Sequence, residues 1–203
     1  MSGHGDQLIS KRYCLRNEHN PDGERTIFNP AFKAKPGRLD IPLEVMEWAA
    51  QQNVTSCVLV NPHVKKSPGK SKDWGWGRWL ELATRAQYSL LQCDFGKPLL
   101  PGVRAIATPT FEHAAALIDY SRGIVTTEGG MHHAAGALRS AAVVIFGGTN
   151  PPSILGYDFH ENLAVDSPDA LGRRGDHPSC RAAMALITVD MVLEAMERAF
   201  GTG

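Results

Sequence analysis

One acid, two glycines and two histidines fall within six consecutive residues, Glu128-Gly129-Gly130-Met131-His132-His133, between two apolar runs. The run at residues 124–125 reads as the end of a buried strand. Residues 131–138 favour helix, and residues 141–146 form a second buried strand ending in Gly147-Gly148-Thr149. Strand, glycine turn, helix, strand is a βαβ unit. At its helix N-terminus the first backbone N–H groups lack intrahelical acceptors and the helix dipole is positive, so phosphate is favoured there. A side chain at Gly129 or Gly130 would hold an anion away from that backbone. The plainer alternative is that Gly-Gly only closes a turn.

Other residues with useful chemistry gather at the same expected sheet edge. A strand over residues 57–60 runs into a loop at 61–72 carrying Lys65, Lys66, Lys70 and Lys72. Lysines at a strand's C-terminal end suit a phosphate site, because ligands in open α/β sheets gather there. For three of the four, a solvated loop is sufficient explanation. Glu128 either binds ribose hydroxyls or orients the turn; the plainer alternative is that it accepts bonds from the N–H groups that follow it. For His133, inside the helix, a buried hydrogen-bonded role is favoured over proton transfer, whereas His132 is expected to face solvent or ligand. Tyr157, His160 and Asn162 lie on a polar loop over residues 151–162, neighbours of the same site. Gly3-His4-Gly5-Asp6 is a flexible turn whose aspartate, on the plainest reading, caps a helix.

The elements that must position these residues follow from pattern. The 203-residue chain balances 21 Lys and Arg against 21 Asp and Glu, so no global field draws it to nucleic acid or a membrane surface. Its apolar runs are too short to span a bilayer, and its first residues lack the hydrophobic stretch of a signal peptide. Cys14, Cys57, Cys93 and Cys180 have no CxxC spacing, which argues against a zinc site and for a reducing, cytoplasmic setting. Residues 7–15 form a short amphipathic piece and 16–38 an Asn/Pro/Gly-rich loop. Pro42 opens a helix over 43–52. Strands are expected at 57–60, 89–93, 103–107 and 163–165. Helices are expected up to about residue 86, over 111–120 behind Thr110, over 180–185, and over 190–200 behind Thr188. Spacing puts Trp79 in the core with Leu82 and Ala83, and leaves Trp74 undecided. The alternation predicts an α/β fold with a doubly wound, mostly parallel sheet, as one unit over residues 43–203 preceded by a linker segment over 1–42. No GxGxxG opens a helix after the first strand, which disfavours a dinucleotide-dependent dehydrogenase.

Several of these motifs, in order, resemble glycosyltransferase family nine, the heptosyltransferase-like group with GT-B architecture. Glu128-Gly129-Gly130-Met131-His132-His133-Ala134-Ala135 resembles the family's Asp-Thr-Gly-x-x-His, with Glu128 for the acid and Gly129 for threonine. Val143-Val144-Ile145-Phe146-Gly147-Gly148-Thr149 and Gly156-Tyr157 resemble the apolar strand and the Gly-Tyr that follow it. Lys72-Asp73-Trp74 with Arg78-Trp79 resembles the Lys-x-Trp-Pro…Trp stretch. The likeness covers residues 55–200. It implies a Rossmann-like GT-B half-domain that binds a nucleotide diphosphate sugar. Lys72, Glu128, Gly129, Gly130, Met131, His132, His133 and Thr149 would lie on the donor, and Tyr157, His160 and Asn162 near its sugar. It also implies inverting transfer with neither metal nor bound cofactor. Gly3-His4-Gly5-Asp6 resembles the family's opening turn, whose aspartate is the base for the acceptor hydroxyl. Here residues 7–42 stand where a whole acceptor domain is expected. The acceptor is left unassigned, and a second protomer or a partner protein is expected to complete the cleft. The alternative is a nucleotide-sugar binding module without catalysis.

Overall fold

The computed structural model describes residues 14–20, 23–64, 69–173 and 177–201. The turn carrying Asp6 lies outside them.

A hairpin comes first. Strands β1 (Cys14–Asn20) and β2 (Gly23–Phe28) pair antiparallel as a separate two-stranded sheet. This corrects the loop expected over residues 16–38. Neither CLRNEHN nor GERTIF alternates apolar and polar residues, so the period that marks a half-buried strand is missing. The hairpin is tied to the main body by Thr26 N–H, which donates to the Gly172 carbonyl at 2.8 Å.

Six parallel strands form the main sheet: β3 (Cys57–Asn61), β4 (Ser89–Asp94), β5 (Arg104–Ala107), β6 (Gly123–Thr127), β7 (Ala142–Gly147) and β8 (Glu161–Ala164). Their spatial order is β5-β4-β3-β6-β7-β8, with every pair parallel. The winding therefore runs outward from β3 to β5, then reverses and runs outward again from β6 to β8. The reversal lies between β3 and β6, which is where open α/β sheets leave a crevice at their C-terminal edge. Asn162, expected on a loop, falls inside β8.

Helices cover both faces. They are α1 (Leu43–Ala50), α2 (Trp76–Arg85), α3 (Phe111–Tyr120), α4 (Gly130–Leu138), the single turn α5 (Pro152–Leu155), α6 (Pro178–Ala185) and α7 (Val189–Phe200). Alternation along the strands sorts the core. Leu59, Leu91, Ile124, Val144 and Phe146 pack with residues of α1, α3 and α4, while Val58, Val60, Val125, Val143 and Ile145 pack with those of α2, α6 and α7. Trp74 and Trp79 are both fully buried in the second layer, and the Trp74 indole donates to the Ile187 carbonyl at 2.7 Å. Thr188 caps α7 by accepting from Met191 N–H. Thr110 occupies the cap position of α3, but its hydroxyl meets His113 Nδ1 at 2.9 Å and leaves the backbone alone.

Candidate functional site

The crevice at the β3/β6 reversal is floored by Asn61, whose amide donates to the Thr126 hydroxyl at 3.1 Å. Above the end of β6, Gly129 is the N-cap of α4, and no side chain among the described residues caps the helix. The turn is open: a Cβ built on Gly129 would meet nothing within 4 Å, and one on Gly130 only Phe111 Cε2, at 3.8 Å. The entrance to α4 thus leaves room beside the glycines at the positive end of the helix dipole.

Glu128 ties this turn to the loop after β3. Its carboxylate is almost fully buried and forms an ion pair with Lys72 through Oε2, which also accepts from Asn150 Nδ2 at 2.6 Å. Its other oxygen, Oε1, lies 3.7 Å from His133 Nε2. Burial pushes this carboxyl up, but His133, Lys72 and Asn150 together outweigh burial and hold it at about 2. The acid is therefore a fixed anion, and Lys72, with three N–H donors, keeps some free for a second acceptor. Asn150 escaped the sequence reading; its one signal is its position directly after Gly147-Gly148-Thr149, at the C-terminal end of β7.

The two histidines exchange their expected places. His132 is completely buried, and neither of its ring nitrogens has a hydrogen-bond partner. Burial, reinforced by the neighbouring His133 and His160, lowers it to about 3, so it is neutral. His133 is the half-exposed one, its side chain 43% accessible, with Nδ1 2.9 Å from the Tyr157 hydroxyl. The cause is that α4 is covered on two sides. Met131, Ala134 and Ala135 face the sheet, while His132 and Gly136 lie under the Tyr157 ring.

Tyr157 and His160 pack against α4 with Asn162 bonded to their backbone, and the polar atoms of the three largely serve the fold. His160 Nε2 lies 3.1 Å from the Ser140 carbonyl, and Asn162 Nδ2 donates to the carbonyls of Tyr157 and His160. Thr149 is buried; its hydroxyl finds no partner, and its carbonyl accepts from Gly172 N–H at 2.8 Å. Lys72, Glu128, Gly129, Gly130, Met131 and both histidines are thus gathered around one turn, with Tyr157 reaching it through His133. The side chains of Lys65, Lys66 and Lys70 lie outside the described residues.

No protein-family model matches the sequence, and no curated protein matches it. Solved structures do match the fold. The ADP-heptose lipopolysaccharide heptosyltransferase II of E. coli superposes with a TM-score of 0.57 at 19% identity, over 80% of this chain and 53% of that one. A family 9 glycosyl transferase from Veillonella parvula gives 0.59 at 14% identity, over 82% and 55%. The E. coli heptosyltransferase WaaC, solved with ADP, gives 0.54 at 14%, over 73% and 47%. The chain spans about half the length of these structures. Its parallel sheet with helices on both faces is accordingly the Rossmann-like fold of a GT-B half-domain, shared with the glycosyltransferases of family nine.

Proposed function

We propose that the crevice at the C-terminal ends of β3 and β6 binds a nucleotide diphosphate sugar, and that the protein transfers the sugar, with inversion, to an acceptor hydroxyl. The carrying observation is the uncapped N-terminus of α4 standing open beside Lys72 at the reversal point of the sheet. An incoming diphosphate finds two sources of positive potential there, the first N–H groups of α4 and the free N–H donors of Lys72. The same groups offset the charge that grows on the diphosphate as the bond from sugar to phosphate breaks, with no metal required on the leaving group. The acceptor oxygen forms the new bond from the opposite face of the sugar carbon. Its proton passes to a base, a role the resemblance gives to Asp6. Asn150 and His133 fix Glu128 from two sides and so fix the entrance to α4. The names of the matched structures, an ADP-heptose enzyme among them, favour a nucleoside diphosphate sugar over other phosphates. A second reading, a binding module without catalysis, draws on the chain spanning about half the length of those structures.

A thermal-shift screen against nucleoside diphosphates and their sugars, without added metal, tests the donor site. Ligand at about a hundred times its dissociation constant adds roughly 2.7 kcal/mol of stability, an evident rise in Tm. No shift with any nucleotide would sink the proposal. Asp6→Ala separates the two readings: it retains the donor-induced shift in both, and abolishes transfer to acceptor if the protein is an enzyme.

A further inference from the structure

We infer that Glu128, His132 and His133 form a binding site for a single divalent transition-metal ion, seated behind the glycine turn on the Oε1 side of the carboxylate. One ligand atom from each residue can be chosen so that all three lie within 4.8 Å of one another. His133 Nε2 and Glu128 Oε1 already stand 3.7 Å apart. Ligand bonds of about 2.0–2.2 Å separate neighbouring donors by roughly 3–4 Å, so small side-chain rotations complete the set. Two imidazoles and one carboxylate are the donor chemistry of Zn²⁺, Fe²⁺ or Co²⁺, in contrast to the all-oxygen sets of Mg²⁺ and Ca²⁺.

Two further observations point to an ion in addition to this proximity. His132 is wholly enclosed with both ring nitrogens unpartnered, a costly state for a polar group unless something not in the protein meets it. His133 is oriented as metal-bound histidines are: Nδ1 is engaged by the Tyr157 hydroxyl at 2.9 Å, leaving Nε2 for the ion. The tautomer required has Nδ1–H donating to the Tyr157 oxygen. Lys72 and Asn150 occupy Oε2, so neither blocks Oε1. Lys72 does share the single negative charge, and ammonium and ion compete for it electrostatically. The ion would lock Glu128 to the first turn of α4 and hold the turn in shape from behind.

Untagged full-length protein, stripped with chelator and free of nucleotide, is titrated with Co²⁺ alone while visible ligand-field absorption and bound stoichiometry are read; Zn²⁺ then competes. One equivalent per chain, with bands abolished by Zn²⁺, is expected. His133→Ala and Glu128→Gln should lose the bands, and Tyr157→Phe should weaken binding by about 10–100-fold. Lys72→Met should tighten it, an effect that general damage to the fold would not produce. No bound Co²⁺, or binding unchanged in both His133→Ala and Glu128→Gln, overturns the site. His133 is half-exposed, so its variant remains informative should a change at buried His132 prevent folding. Because nucleotide is absent throughout, failure here leaves the donor-site proposal standing, and the reverse holds.

Discussion

At the residue scale, the Lys72–Glu128 pair joins the fold to the proposed donor site. Glu128 is buried and anionic, so its partner matters more than that of a surface acid. Lys72→Met leaves the carboxylate with Asn150 and His133 only. We expect a loss of stability of about 1.5–3 kcal/mol in urea titrations at neutral pH, the range for a hydrogen bond to a charged group. The double variant Lys72→Met/Glu128→Gln should recover part of it, because the uncompensated charge is then gone; simple additivity would argue against a coupled pair. Affinity for a nucleoside diphosphate, read by calorimetry, should fall about tenfold or more in Lys72→Met, as one charge-assisted bond is lost. The placement of Lys72 near the glycine turn was expected from sequence, as a lysine at the C-terminal end of a strand; its ion pair with Glu128 was not. Asn150, the second partner of Glu128 Oε2, was not legible either, because a polar residue after a Gly-Gly-Thr turn reads as ordinary loop.

At the element scale, α4 is the helix on which site and fold meet, and Gly136 reports how tightly it is covered. Alanine in a helix interior normally gains about 1 kcal/mol over glycine. At Gly136 the sign should reverse, because a Cβ there would lie 2.1 Å from Tyr157 Cε2 and must displace the ring. Gly136→Ala is expected to cost about 1–3 kcal/mol, as overpacking does, seen as a lower urea midpoint at unchanged slope. An unchanged or raised midpoint would show that the loop after α5 yields freely. The same two-sided cover explains why the histidines were misplaced. One apolar stripe, Met131-Ala134-Ala135-Leu138, satisfies the helical period, and His132 falls just outside it. The later loop bearing Tyr157 and His160, with Phe146 of β7, buries that second stripe, and contacts so distant in sequence leave no local period. Strands β3, β6 and β7 were legible for the opposite reason. Buried on both faces, β3 and β7 are continuous apolar runs and β6 carries a short one, Ile124-Val125, each bounded by glycine and polar residues. The β1–β2 hairpin, with its apolar residues confined to Cys14-Leu15 and Ile27-Phe28, has no such signature.

At the scale of the whole molecule, titratable groups enclosed around α4 make global stability depend on pH. His132 and His160 are held neutral, at about 3 and about 4, chiefly by burial; in the unfolded chain both bind protons near 6.5. Glu128 is held at about 2 against 4.5 when unfolded. In each case the folded value is the lower one, so below the unfolded value the unfolded chain carries more protons and stability rises with pH. The stability each group contributes is therefore intact above its unfolded value and drains away as pH falls toward its folded one. That window is 6.5 down to about 3 or 4 for the histidines, and 4.5 down to about 2 for Glu128. Asp119, whose carboxyl burial pushes up, works in the other direction near the carboxylate range. Burial also lowers His63, which adds in the same direction, and around pH 5 the two histidines beside α4 together give a slope approaching about 2.7 kcal/mol per pH unit. Urea titrations at intervals from pH 7.5 to 5 should show the protein losing stability steadily below about pH 6.5. In His160→Gln one titrating group is gone and the slope should fall by up to about 1.4 kcal/mol per pH unit, whatever the variant's absolute stability. A flat profile down to pH 5 would mean that both rings reach water or accept protons in the folded state, and that the enclosed aromatic cluster behind the glycine turn is looser than its geometry.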